Sequence, residues 1–211
     1  DNLMSFPEIT IVDYGMGNLG SVLKSFNRLK IDVKISKSKS DILNADKLIL
    51  PGVGHFRKGM ENLINLDYLD ILNKKVIIDK TPILGICLGM QLFSNFSEEG
   101  NVKGLEWVDS KVLKFKVNNI LKWKIPHMGW NSVNIKRENI LFDNIEHEEI
   151  FYFVHGYYMN CKDKKDILST TKYCNSFVSS INKENIYGTQ FHPEKSHDQG
   201  MKIINNFVKV I

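Results

Sequence analysis

The sequence predicts an α/β fold built on a mostly parallel sheet with both faces covered. Three observations carry this. Short apolar runs alternate with stretches of helical periodicity up to about residue 95, the signature of βαβ units. Glycine-rich turns close several of those runs. After residue 100 the texture changes to strand-like segments, ending in one amphipathic helix. Residues 8–12 read as a buried strand stopped by Gly15, and 18–30 as a helix carrying Leu19, Val22, Leu23, Phe26 and Leu29 on one side. Val33 to Ile35 and Lys47 to Leu50 are further strands, the latter halted by Pro51-Gly52. Residues 57–73 are helix-like, Ile83 to Ile86 is a fourth strand, and a helix is expected from about 88 to 95. Beyond that, 111–116, 130–135, 150–161, 167–173 and 176–190 read as strands that return to the sheet, and 197–210 as the final helix.

The chain has 211 residues, which fits one domain over 1–211, with residues 1–6 read as partly tag or disordered. At 43% hydrophobic and 25% charged residues, wholesale disorder is excluded. The net charge of +4 is nearly all lysine, with only Arg28, Arg57 and Arg137 as arginines, and it is spread over solvated faces. That argues against nucleic-acid binding. No apolar stretch approaches the ~20 residues of a membrane span, and no signal peptide is visible, so a cytoplasmic protein is expected. Cys87, Cys161 and Cys174 are an odd number without CxxC spacing, which argues against a disulfide framework and against a zinc site. Neither a metal nor a cofactor is expected.

Gly15-Met16-Gly17-Asn18-Leu19-Gly20 satisfies G-x-G-x-x-G between a strand and a helix. The acidic residue that should close the second strand is replaced by Ser36-Lys37-Ser38, so a tight strand-to-helix turn competes with a nucleotide site. Pro51-Gly52-Val53-Gly54 follows the third strand and frees backbone N–H groups for an oxyanion, although a plain turn explains it equally well.

Gly85-Ile86-Cys87-Leu88-Gly89 is more specific. A strand running into G-x-C-x-G and then a helix is the thiol counterpart of the G-x-S-x-G elbow. Small flanking residues let Cys87 project from a sharp turn, the following helix N-terminus favours the thiolate, and the Leu88 N–H lies where an oxyanion forms. In His192-Pro193-Glu194, residues i and i+2 of an extended segment face the same way, so Glu194 accepts from His192 Nδ1 while Nε2 faces the thiol. On spacing alone, His-x-Glu is a common accident.

Together Gly85–Gln91 and Phe191–Ser196 resemble class I (triad-type) glutamine amidotransferases. The blocks Asp13–Asn18, Pro51–Phe56, Pro126–Asn131 and Tyr152–Tyr157 narrow the resemblance to the HisH family, the glutaminase subunits of imidazole glycerol phosphate synthase. Met90 stands where many sister glutaminases carry histidine. The resemblance implies a flavodoxin-like mostly parallel sheet with helices on both faces and a small additional antiparallel β layer. It implies hydrolysis of L-glutamine to glutamate and ammonia by Cys87, His192 and Glu194. Gly52, Val53 and Leu88 would form the oxyanion hole, with the Gly52–Gly54 loop rotated away at rest. Gly54, Gln91, Gly156 and Tyr157 would hold glutamine. Gly156 departs from the hydroxyl residue of many relatives, which leaves backbone contacts there.

The ammonia would pass to a (β/α)8-barrel cyclase bound as a heterodimer at Asn18, Met128, Trp130, Tyr152 and Lys195. That assignment turns the G-x-G-x-x-G loop into a partner-facing turn. A chain of this length suffices for a glutaminase with no room for an acceptor site. The rival is the same glutaminase feeding a paralogous synthase, such as one amidating a nucleotide-activated sugar. A cysteine peptidase of related fold would lack Gln91 and His-Pro-Glu, and a binding subunit with a dead triad is disfavoured by the intact residues.

Overall fold

The computed structural model describes residues 6–211. The chain runs β1 (Ile9–Val12), α1 (Leu19–Arg28), β2 (Lys34–Ser36), α2 (Lys39–Asn44), β3 (Lys47–Leu50), α3 (Phe56–Asn65), α4 (Leu69–Asn73), β4 (Ile83–Ile86) and α5 (Leu88–Gln91). It continues through β5 (Phe96–Ser97), β6 (Val102–Lys103), β7 (Ser110–Lys114), β8 (His127–Ser132), β9 (Asn134–Ile135), β10 (Ile150–His155) and β11 (Tyr157–Cys161). Last come β12 (Ile167–Tyr173), β13 (Asn175–Lys183), β14 (Ile186–Thr189) and α6 (His197–Val208).

The main sheet has the order β2-β1-β3-β4-β14-β13-β11-β7-β5-β6. From β2 to β14 every pairing is parallel, so the strand ends that follow β1, β3, β4 and β14 open on one side. β14 fulfils the expectation that the second half returns to the sheet. Beyond it the pairings of β13, β11 and β7 turn antiparallel. A separate two-stranded antiparallel sheet joins β10 to β8, with Tyr152 opposite Trp130 and His155 opposite His127.

Helices cover both faces because their apolar stripes differ in destination. Ile42, Phe56, Met60, Leu63 and Leu72 of α2, α3 and α4 fill one core with Val12, Leu48 and Leu50. Val22 and Phe26 of α1 and Ile203, Ile204 and Phe207 of α6 fill the other, with Ile9, Ile11, Ile49 and Ile86. Alternate residues of each central strand thus serve opposite cores, the period of two that a sheet covered on both sides requires.

Two helices are shorter than the periodicity predicts. The 57–73 stretch splits into α3 and α4 because Asp67 adopts a left-handed φ of 59° and Tyr68 turns inward. The helix after Cys87 stops at Gln91. There the carbonyls of Leu92, Phe93 and Ser94 are taken by the N–H groups of Leu105, Trp107 and Glu106, bonds from a distant loop that helical propensity cannot anticipate. The 150–161 run is two strands separated at Gly156. Residues 1–5 of the expected tag or disordered segment lie outside the described residues.

The two-stranded sheet is fixed to the body by aromatic packing. Phe191 is fully buried, stacked on Phe151 with ring centroids 4.1 Å apart and in contact with Phe153. Phe191→Ala should destabilise the protein by about 3–5 kcal/mol, the usual cost of deleting a buried ring. The check is the urea unfolding midpoint, and an unchanged midpoint would contradict this role for the ring.

Candidate active site

β4 lies between β3 and β14, and the register places Gly85 beside Leu50 and Ile86 beside Thr189. Cys87 leaves β4 at φ 55° and ψ −111°, a left-handed elbow that side chains rarely adopt. Two backbone bonds hold it there: Cys87 N–H donates to the Thr189 carbonyl at 2.7 Å and Leu88 N–H to the Gly52 carbonyl at 3.3 Å. Gly89 is needed for a different reason, close approach. A Cβ there would stand 1.7 Å from the Leu50 carbonyl oxygen. The thiol is 6% exposed, and Sγ faces the Val154 carbonyl at 3.7 Å.

The end of β14 brings in His192, which is 1% exposed. Its Nδ1 is 2.6 Å from Glu194 Oε1, the expected pairing, although Pro193–Lys195 form a 3-10 turn rather than the extended segment expected, while Nε2 is buried with no hydrogen-bond partner. Burial disfavours the charged imidazole. Interaction with the Cys87 sulfur, then with the Glu194 carboxylate, outweighs it and pushes the His192 pKa up to about 10. Although the sulfur acts on His192 electrostatically, no hydrogen bond is formed between them in this geometry. His192 N–H donates to the Tyr152 carbonyl at 2.9 Å, and Ser196 Oγ accepts from Tyr152 N–H and donates to the His192 carbonyl.

A cavity of about 60 Å³ opens beside the thiol, lined by Val53, Gly54, Leu88, Gln91, Glu99, Val154, His155, Gly156 and Tyr157. Every residue expected to hold glutamine is therefore at one place. A larger hollow of about 740 Å³, at residues Ile135 to Ile145, contains none of them. The expected oxyanion donors are only half ready: the Leu88 N–H is spent on the Gly52 carbonyl, and Val53 is half exposed. Gly17 explains the G-x-G-x-x-G loop, since a Cβ there would lie 3.1 Å from Gly52 Cα and Val53 N. Glycine is favoured there by its φ of 94° as well as by that close approach, and Asn18 caps α1 by accepting from Ser21 N–H.

The expected interface residues are less concentrated. Met128 is 63% and Trp130 45% exposed, and Trp130 packs edge-on to Tyr152 and stacks on His197. Lys195 is exposed on the turn after His192, which packs against α1 and β10, and Asn18 is exposed at the α1 N-terminus. Cys161 is buried and its thiol is pushed up to about 12 by that burial, with help from nearby Asp166.

Near the thiol, Gln190 and Glu99 lie outside the motifs read from the sequence, and Tyr14 lies within the Asp13–Asn18 block with no role assigned to it there. Gln190, fully buried, places Nε2 3.5 Å from Cys87 Sγ and accepts from Gln91 Nε2 at 2.9 Å. Glu99 lines the cavity and accepts from Phe56 N–H at 2.7 Å. Tyr14 donates to the Pro51 carbonyl at 2.6 Å and stays protonated because burial, then the nearby Cys87, push its pKa up. The one available signal was Gln190's position two residues before His192.

The Glutamine amidotransferase class-I family matches residues 10–211. The chain belongs to this family. It is 55% identical to the imidazole glycerol phosphate synthase subunit HisH 2 of Methanococcus maripaludis, over 95% of this chain and 98% of that one. It is 44% identical to subunit HisH 1 of Campylobacter jejuni, over 96% and 100%. A glutamine amidotransferase from Thermotoga maritima shares the fold, with a TM-score of 0.66 and 16% identity over 96% of this chain and 83% of that one. Within the amidotransferases, then, the chain is a member of the HisH family. Among the described residues no helix is long and apolar enough to cross a membrane, and no cluster of three or more His, Cys, Asp or Glu could hold a metal.

Deeper in the site, His155 Nδ1 lies 2.8 Å from the Tyr157 carbonyl and His127 Nδ1 2.9 Å from His155 Nε2. Burial holds His155 down at about 3 and His127 at about 4, against about 6.5 in an unfolded chain. As pH falls the unfolded chain takes up protons first. The stability carried by neutral His155 is therefore whole above pH ~6.5 and drains away toward its folded value. Between pH 6.5 and 5 this one residue costs about 2 kcal/mol. Urea midpoints should fall over that interval, and fall less in His155→Phe, which keeps the aromatic contacts but does not titrate. Equal losses in both proteins would contradict a neutral His155.

Proposed function

We propose that the chain is the glutaminase subunit of an imidazole glycerol phosphate synthase. It would hydrolyse L-glutamine to glutamate and ammonia, and pass the ammonia to a HisF-type (β/α)8-barrel cyclase subunit during histidine biosynthesis. One observation carries the chemistry: a buried cysteine on a left-handed elbow, with a histidine whose near nitrogen is free and whose far nitrogen is clamped by Glu194 at 2.6 Å. The HisH names of the relatives support the choice of synthase.

In this reading the Cys87 proton moves to His192 Nε2 and the thiolate attacks the carboxamide carbon, giving a tetrahedral oxyanion. His192 returns the proton to the leaving ammonia. It then takes a proton from water, which hydrolyses the γ-glutamyl thioester, and Glu194 keeps the imidazole oriented throughout. Gln91, Gly54, Gly156 and Tyr157 hold the substrate in the cavity beside the sulfur.

The oxyanion is the gated step. Rotating the Gly52–Val53 peptide would release Leu88 N–H and bring Val53 N–H to the same oxygen. At rest the Gly52 carbonyl occupies that position and would repel the developing charge. A partner touching Asn18, Met128, Trp130, Tyr152 and Lys195 would lie against the loop and strands that support this peptide and His192.

The isolated chain should therefore release ammonia slowly, and the complex with the cyclase and its nucleotide ligand at least ~10²-fold faster. That is about 2.7 kcal/mol of barrier, within what one oxyanion donor supplies. Cys87→Ala should release none in either state. A coupled glutamate dehydrogenase assay reads both, and high unstimulated activity would contradict the gate.

Glu194→Gln tests the orienting bond separately. The amide leaves the shape intact but can present an N–H to Nδ1 and reverse the tautomer. The turnover number should fall by roughly 10²–10⁴-fold with KM for glutamine little changed. Matched steady-state kinetics in the complex would show it, and a loss confined to KM would argue against this role.

A further inference from the structure

We infer that Gln190 is a further catalytic residue: its side-chain N–H donates to the Cys87 sulfur and holds the thiolate, in an orientation fixed by a hydrogen-bond chain anchored on the Tyr157 carbonyl. The inference rests on Cys87 being the nucleophile.

Nothing in the outline of a carboxamide says which end faces the sulfur, but its neighbours do. The Tyr157 carbonyl can only accept. Gln91 must therefore turn its NH₂ toward it, 3.1 Å away. The same NH₂ lies 2.9 Å from Gln190, which must answer with its oxygen. That leaves the Gln190 NH₂ facing Sγ at 3.5 Å. Gln190 cannot swing aside, because it is fully buried and its backbone N–H is tied to the Ser179 carbonyl at 2.9 Å.

The other branch from Tyr157 is fixed by the same reasoning. His155 Nδ1 must be the protonated nitrogen, so its Nε2 accepts from His127 Nδ1. His127 Nε2 then accepts from Asn131 Nδ2, which also donates to the Lys172 carbonyl at 2.9 Å. Two backbone carbonyls, Tyr157 and Lys172, thus dictate the polarity of every side chain between them.

The sulfur needs such a donor. As a thiol it donates to the Val154 carbonyl at 3.7 Å. Once the proton has passed to His192 Nε2, that carbonyl faces a negative sulfur and opposes it. The titratable groups about the sulfur are His192 with Glu194 behind it, the Tyr14 hydroxyl, neutral His155 and, across the cavity, the Glu99 carboxylate, which accepts from Phe56 N–H. Tyr14 is committed to Pro51, His155 to Tyr157 and Leu88 N–H to Gly52. Gln190 is the N–H donor already in place for the thiolate before substrate or partner arrives.

The test is alkylation of Cys87 by iodoacetamide at neutral pH in the full chain, followed on the Cys87 peptide by mass spectrometry so that Cys161 and Cys174 do not contribute. Wild type is compared with Gln190→Met, which removes the donor, and with Gln190→Glu, which keeps the shape and replaces the donor by a carboxylate. The expected order is wild type fastest, Met about 5–10-fold slower and Glu slower again. A role in packing alone would leave the near-isosteric Glu variant close to wild type. Rates within twofold across all three overturn the inference. Should the Met variant fail to fold by circular dichroism, the Glu variant decides by the same criterion. Ammonia release by Cys87→Ala would instead sink the nucleophile assignment, an outcome separate from the alkylation order.

Discussion

The register of three adjacent parallel strands is the constraint on which the rest depends. β3, β4 and β14 end side by side, so the Gly52 loop, the Cys87 elbow and the Gln190–His192 segment meet without any long connection reaching across. Each supplies one chemical part: a backbone carbonyl and N–H pair, a sulfur, and a donor with a base. The ends of neighbouring parallel strands are where open α/β sheets place their ligand crevices. Slipping β14 by one residue against β4 would turn its side chains to the other face and carry the segment with Gln190 and His192 out of line with Cys87.

Holding Cys87 left-handed costs on the order of 1–3 kcal/mol. The surroundings over-determine it. Thr189 and Gly52 accept the two successive N–H groups, and Gly89 lies so close to Leu50 that the turn has no slack. The strain is thus spread over the same three strand ends that build the site. The bond to Gly52 does double service, since it steadies the elbow and occupies the proposed oxyanion position. In the proposed reading, the stability of the elbow and a low resting activity come from the same hydrogen bond.

How much of this was legible in the sequence follows from the range of each interaction. The alternation of strands and helices, the elbow at Cys87 and the pairing of His192 with Glu194 are local patterns, and each was readable. The early stop at Gln91 was not, because it depends on N–H groups from Leu105 to Trp107. Gln190 was missed for the same reason: its partners, Gln91 and Cys87, are 99 and 103 residues away. The G-x-G-x-x-G loop was legible as a turn but ambiguous in purpose. Its glycine answers to Gly52 and Val53 on the next loop, which periodicity cannot reveal.

Magnitudes decide what a partner would have to do. The half-buried strand β10 is bonded to the base through Tyr152, whose carbonyl takes His192 N–H and whose N–H is held by Ser196. One such bond is worth about 1 kcal/mol net. Strengthening it could change a rate by less than ten-fold, so tightening the base alone falls short of a hundred-fold response. The Gly52–Val53 peptide is different in kind, because the proposed rotation would exchange a repelling carbonyl for a donating N–H at one oxygen. Its rotation gives up the Leu88 bond and recovers that donor on the oxyanion, where charge strengthens it. In the proposed reading a partner need only tilt this element, and Gly17, packed on the same peptide and followed directly by the exposed Asn18, is the route by which a contact at the surface would reach it.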